Sequence, residues 1–209
     1  MIQTDSLTFQ YKKEEPLFSF PNIALKKGEN LLILGKSGIG KTTLLHLLAG
    51  LLQPTSGKVV INEVAIHSVS HSELDKFRGQ NIGLVFQKKH AIQSLNVIEN
   101  LQTRLFLSGK SINNTAIDFL LKQLDINAYK DSSLNTLSEG QLQRLGIAMA
   151  VIHNPQLILA DEPTSSLDDE NCKVVIELLL KQTKLTNANL IVITHDHRIK
   201  SMFSNSMTL

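Results

Sequence analysis

Apolar residues along the chain gather into short unbroken runs set between longer stretches with helical spacing. Leu31-Leu32-Ile33-Leu34, Ile82-Gly83-Leu84-Val85-Phe86, Leu157-Ile158-Leu159-Ala160 and Leu190-Ile191-Val192-Ile193 have no polar face, as expected of strands buried on both sides. Thr43–Ala49 reads as a helix closed by Gly50, and Asp169–Thr183 as another. Ser70-x-x-Glu73 caps a short helix to Arg78, and Asn96-x-x-Glu99 caps one through about Leu107. Ile117, Leu120, Leu121 and Leu124 predict a helix within Ile112–Leu124. Leu134–Gln141, with Gly140 inside it, reads as a loop, and the helix that follows is stopped near His153 by Asn154-Pro155. Residues 2–11 and 17–25 are extended segments around the polar turn Lys12–Pro16, and Lys58–Ile61 is a strand between the turns Pro54–Gly57 and Asn62-Glu63. Strands alternating with helices imply an α/β fold with a parallel sheet and right-handed crossovers. No strand signal stands between Lys88 and Leu137, so that region is expected to be a helical insertion.

The 209 residues suffice for one large domain with a sizeable core. A net charge of +2 gives no electrostatic reason to expect nucleic acid as a partner. The single cysteine, Cys172, excludes a disulfide framework and suits a reducing, cytoplasmic setting. The N-terminus lacks the pattern of a signal peptide, and no apolar run approaches the length of a membrane span, so the chain is not expected to cross a membrane.

The candidate chemistry centres on Gly35-Lys36-Ser37-Gly38-Ile39-Gly40-Lys41-Thr42, which fits G-x-x-x-x-G-K-[ST] between a strand and a helix. Glycines let backbone N–H groups curl around phosphate oxygens, and the helix N-terminus adds partial positive charge. Lys41 can reach the β- and γ-phosphates of a nucleotide, and the Thr42 hydroxyl can ligate Mg²⁺. Asp161 and Glu162 stand at the end of the Leu157–Ala160 strand, where parallel sheets bind ligands. Asp161 is suited to hold Mg²⁺ through its water shell, and Glu162 to orient or deprotonate an attacking water. His195-Asp196-His197 could be read as a metal cluster, but no partner residue is spaced to complete it. Cys172, on an apolar helix, reads as a small core residue.

Leu137-Ser138-Glu139-Gly140-Gln141 resembles the LSGGQ signature of ATP-binding-cassette ATPases, and further motifs follow in that family's order. Tyr11 is similar to the aromatic residue that stacks on adenine, Gln87 to the Q-loop glutamine, and Ser165-Ser166-Leu167-Asp168 to the D-loop. His195, in Ile-Thr-His-Asp, resembles the switch histidine. The resemblance covers essentially the whole chain. It implies a P-loop NTPase core with a mainly parallel sheet, an N-terminal antiparallel β subdomain and an inserted helical subdomain that carries the signature. The core and β subdomain would take residues 1–87 and 150–209, and the helical subdomain about 88–149. It also implies ATP and Mg²⁺ as cofactors. Gly35 to Thr42, Thr43 and Tyr11 of one copy would hold ATP against Ser138, Gly140 and Gln141 of a second. Thr42, Gln87 and Asp161 would lie at the metal, and Glu162, His195 and Gln87 at the chemistry.

The same resemblance implies integral-membrane permease subunits as partners, on the cytoplasmic face of the membrane, and no nucleic acid. Within the family the chain is most similar to the lipoprotein-releasing, macrolide and antimicrobial-peptide exporter branch, which also includes the cell-division ATPase. A non-transport cassette, such as a cell-division or mechanotransmission ATPase, is the alternative. Three departures stand out: Glu139 replaces the usual signature glycine, and Ala148-Met149-Ala150 replaces Ala-Arg-Ala. The third is the end at Leu209, where no added regulatory domain is expected.

Overall fold

The computed structural model describes residues 1–86, 90–165 and 167–209. Gln87, Lys88, Lys89 and Ser166 therefore lie outside the described residues. The N-terminal part holds β1 (Ile2–Phe9), β2 (Phe18–Ser19), β3 (Ala24–Leu25), β4 (Asn30–Leu34), α1 (Lys41–Leu48), β5 (Ser56–Ile61) and β6 (Val64–Ala65). Then come α2 (His71–Asn81), β7 (Ile82–Val85), α3 (Val97–Leu107), α4 (Asn114–Gln123) and α5 (Glu139–Val151). The chain closes with β8 (Leu157–Asp161), α6 (Asp169–Thr186), β9 (Asn189–Thr194) and β10 (Ser206–Thr208).

Two sheets form. One is antiparallel, ordered β2-β1-β5-β6, with β3 also paired to β1. The other is ordered β10-β4-β9-β8-β7, and each of its pairs is parallel. Residues 17–25 are expected as one extended segment but split into β2 and β3. Pro21 lies between them and has no N–H to give a ladder, and the Ser6 N–H donates to Asn22 Oδ1 there instead of to a strand.

The apolar runs of the parallel sheet divide by period two between the sheet's faces. Leu31, Ile33, Leu157, Leu159, Ile191 and Ile193 pack with Leu44 and Leu48 of α1 and with the antiparallel sheet. Leu32, Leu34, Ile158, Ala160, Leu190 and Val192 face the opposite way, into a core shared with α3, α4, α5 and α6. The helices between β7 and β8 thus share a core with the sheet. Helix α5 is unbroken across the boundary near 149 expected from sequence, and it packs on both β7 and α3.

The expected loop Leu134–Gln141 is corrected by the structure. Leu134–Thr136 is a 3-10 turn, and α5 starts at Glu139, which puts Gly140 and Gln141 in its first turn. The cause is a capping box: the Gln141 N–H donates to Ser138 Oγ at 3.3 Å, and the Ser138 N–H donates to Gln141 Oε1 at 2.7 Å.

Candidate nucleotide site

The carboxyl ends of β4, β9 and β8 lie side by side, so the loops after them meet at one edge of the parallel sheet. The loop after β4 runs from Gly35 to Gly40 and enters α1 through Gly40 in a left-handed conformation, φ 103°. No side chain caps α1, and its first turn holds no acid. The other α-helices among the described residues all carry a side-chain cap: Ser70, Asn96, Asn113, Ser138 and Asp168. Helix α1 alone therefore offers bare N–H groups and the positive end of its dipole, the arrangement that receives an anion.

Lys41 is almost fully buried, and its Nζ donates to the carbonyls of Gly35 at 2.8 Å and Lys36 at 3.1 Å. It also pairs with the Glu162 carboxylate at 3.4 Å. The cation thus occupies the loop's own cradle. A phosphate entering the loop has the same ammonium to draw on.

Thr42 Oγ1 donates to Asp161 Oδ2 at 3.1 Å, joining the start of α1 to the end of β8. Asp161 Oδ1 is buried and has no hydrogen-bond partner among the described residues. Burial raises the Asp161 carboxyl above the usual range, against the Thr42 hydrogen bond and with help from the neighbouring Glu162 charge. An unsatisfied buried carboxylate oxygen beside a hydroxyl is costly by itself and fits a hard, oxygen-seeking cation such as Mg²⁺.

Glu162 follows with φ 47°, its N–H bonded to Ile193 O at 2.9 Å. The carboxylate accepts from Thr194 Oγ1 at 2.7 Å and from the His195 N–H at 3.3 Å, and it contacts His195 Nδ1 at 3.0 Å. Burial pushes this carboxyl up, but the hydrogen bonds from His195 and Thr194 outweigh it and hold it below the usual glutamate value. Glu162 is therefore ionised at neutral pH, and the imidazole of His195, more than half exposed, leans on it.

Tyr11, Phe18, Ser37, Gly38, Gly40 and Lys41 line an open pocket of about 380 Å³ with Thr42, Thr43 and Glu162. Tyr11 is exposed, its ring edge-on to Phe9 at 4.7 Å, and its hydroxyl is 2.9 Å from Thr43 Oγ1. Gly35 and Lys36 enter through their carbonyls, and Ile39 is exposed on the loop. Ser138, Gly140 and Gln141 are elsewhere. They line a separate pocket of about 610 Å³ with Tyr129, Arg144 and Asn171, and the two pockets share no lining residue. Gln87, expected at the metal and the chemistry, lies outside the described residues.

Sequence reasoning missed Phe18, a wall of the first pocket, and Thr194, which holds Glu162. Thr194 stands beside His195 at the end of an apolar run, a position that could have marked it. Nothing local separates Phe18 from a core aromatic. Among the described residues no group of three or more His, Cys, Asp or Glu is placed to hold a metal ion. Cys172 is buried, as its helix face implied.

The profile of a family described as ABC transporter matches residues 20–165. The lipoprotein-releasing system ATP-binding protein LolD of Buchnera aphidicola subsp. Schizaphis graminum is 38% identical over 192 residues, covering 90% of this chain and 84% of its own length. The ABC transporter ATP-binding protein YtrE of Bacillus subtilis is 36% identical over 193 residues, covering 91% and 84%. Among solved structures, the dimeric post-hydrolysis state of the ATP-binding cassette MJ0796 with ADP and Pi superposes with a TM-score of 0.89 at 31% identity. That match covers 100% of this chain and 94% of the other. With a bare helix N-terminus, a buried lysine and paired carboxylates at one sheet edge, the chain belongs to the ABC transporter family as an ATP-binding, ATP-hydrolysing component.

Proposed function

We propose that the chain is the energising subunit of a membrane exporter and acts as a head-to-tail pair that closes on two ATP molecules. The observation that carries this reading is the separation of the two pockets within one copy: Lys41 and Glu162 line one, Ser138 and Gly140 the other. In this reading one nucleotide meets both sets because a second copy supplies the second set. Residues 1–87 and 150–209 are the nucleotide-holding body in this reading, and about 88–149 the arm that presents Ser138.

In the closed pair, the bare N–H groups of α1 and Lys41 bind the phosphates, and Tyr11 stacks on adenine. The first turn of α5, with Ser138, Gly140 and Gln141, meets the γ-phosphate from the opposite side. Thr42 and Asp161 hold Mg²⁺, and Gln87 touches the ion or the attacking water by resemblance alone. The ion, when bound, neutralises charge on the β- and γ-phosphate oxygens. When a phosphate takes Lys41 Nζ, Glu162 loses its ion pair and keeps Thr194 and His195, leaving a carboxylate able to accept a proton from water. His195 donates to the γ-phosphate.

The partners are a second copy and an integral-membrane permease at the cytoplasmic face of the membrane. Among the described residues no helix is long and apolar enough to cross it. The LolD relatives' names favour lipoprotein release over peptide or drug export as the cargo class.

Glu162→Gln tests the reading. Turnover should fall by at least ~10²-fold, the lower end for general-base assistance, while ATP binding survives. The variant should show doubled mass in ATP and Mg²⁺ and single mass in ADP. Asp161→Asn should instead weaken Mg²⁺-dependent binding and trap nothing. Wild-type turnover by Glu162→Gln, or a strict monomer throughout, refutes the proposal.

A further inference from the structure

The loops after β8 and β9 carry Glu162 and His195, and a side-chain brace behind them ties the two together. Thr164 Oγ1 donates to Asp196 Oδ2 at 2.9 Å, both residues being buried. Arg198 grips the same carboxylate with its fork, Nε to Oδ1 at 2.9 Å and one terminal nitrogen to Oδ2 at 2.7 Å. The guanidinium also donates to the Leu167 carbonyl at 3.3 and 3.4 Å and to Asp169 Oδ1 at 2.5 Å. Asp196 adjoins His195. Leu167 and Asp169 flank Asp168, which caps α6 by accepting from the Asn171 N–H at 2.8 Å and from the Asn171 side chain at 2.9 Å. Asn171 in turn lines the pocket of Ser138 and Gly140. The brace thus runs from the histidine on Glu162, through Asp196 and Arg198, to the start of α6 and the second pocket of the same chain.

We infer that Arg198 is a positioning residue that couples the two pockets of one chain, so that nucleotide captured at the Ser138 pocket sets the His195–Glu162 geometry in the other. This rests on the paired arrangement proposed above, in which the two pockets of one chain serve different ATP molecules. A planar fork can hold Asp196, the Leu167 carbonyl and Asp169 at once. A lysine ammonium can pair with Asp196 but cannot span all three. The guanidinium is itself partly exposed, so its loss leaves no cavity in either core.

The experiment measures ATPase rate against ATP concentration for the full chain, Arg198→Ala, Arg198→Lys and Asp169→Ala, with thermal unfolding alongside. The wild type should give a Hill coefficient above one. Arg198→Ala should lower kcat by roughly 2- to 30-fold, the range by which single residues modulate coupling between sites. Its half-saturating ATP should move less than kcat, and its Hill coefficient should fall toward one. Arg198→Lys should unfold at the wild-type temperature yet stay uncooperative, which a purely stabilising role would not produce. Asp169→Ala, cutting only the limb toward α6, should lose cooperativity in the same way. Wild-type kcat and cooperativity in Arg198→Ala, or cooperativity fully restored by lysine, overturns the inference while leaving the paired ATPase intact. A Hill coefficient of one in the wild type overturns the coupling, and specific activity that does not rise with protein concentration overturns the paired arrangement beneath it.

Discussion

Gly40 closes the phosphate loop, and two separate demands converge on it. Its φ of 103° lies where an L-residue is strained, and a Cβ there would sit 2.8 Å from Phe18 Cδ1 and 3.0 Å from Cε1. Phe18 cannot swing aside freely. It belongs to β2, its ring stacks on Phe20 at 6.2 Å, and it meets Tyr11 edge-on at 6.3 Å. Gly40→Ala therefore adds backbone strain of about 1–3 kcal/mol and an overpacking cost of about 1–3 kcal/mol, some 2–6 kcal/mol together. Gly38 is the control: φ is 82°, yet nothing stands within 4 Å of its Cβ position, so only the strain should appear. Urea unfolding at fixed pH should rank wild type, Gly38→Ala and Gly40→Ala in falling order of midpoint with similar slopes. Combining Gly40→Ala with Phe18→Ala should recover the steric part, a favourable coupling of about 1–3 kcal/mol in a double-mutant cycle. Equal losses at Gly38 and Gly40, or additive effects with Phe18, would show that the ring does not press on the loop.

Lys41→Ala should abolish ATP hydrolysis. Because Nζ bonds two loop carbonyls and Glu162, it should also lower the stability of the nucleotide-free protein by about 1–3 kcal/mol, and near-normal ATPase activity would refute the loop assignment. The purified chain should show specific activity that rises with protein concentration, as a site completed by a second copy requires, and a concentration-independent rate would count against it. His153 is buried, accepts from Arg104 at 2.8 Å on Nε2, and leaves Nδ1 without a partner among the described residues. Burial and the Arg104 charge, with a smaller push from Lys110, lower its pKa from 6.5 to about 3 despite the Ile82 carbonyl. The unfolded chain therefore binds this proton below pH 6.5 while the folded chain does not, so stability should fall as pH drops from about 6.5 toward 3, by about 1.4 kcal/mol per unit. Urea midpoints from pH 7 to pH 5 check this, and His153→Gln should flatten that part of the profile.

How much of this could be read from the sequence depends on how local each determinant is. The phosphate loop was legible because its glycines, lysine and threonine are consecutive and each answers to one local demand. Asp161 and Glu162 were legible because an apolar run ends on them, and the four buried strands because their residues are apolar on both faces. The order β10-β4-β9-β8-β7 was not, since alternating strands and helices imply parallel pairing without saying which strand lies beside which. The start of α5 was legible in principle: Ser138 and Gln141 repeat the spacing of Ser70 with Glu73 and Asn96 with Glu99, but a glycine beside the cap reads as loop. Pairings such as Thr194 with Glu162, Phe18 with Gly40 and Asp196 with Thr164 join residues far apart in the chain, and no local pattern specifies them. Two of them, Thr194 with Glu162 and Thr164 with Asp196, tie the loop after β8 to the loop after β9. The sequence therefore names the groups of this site more readily than it fixes how they are held.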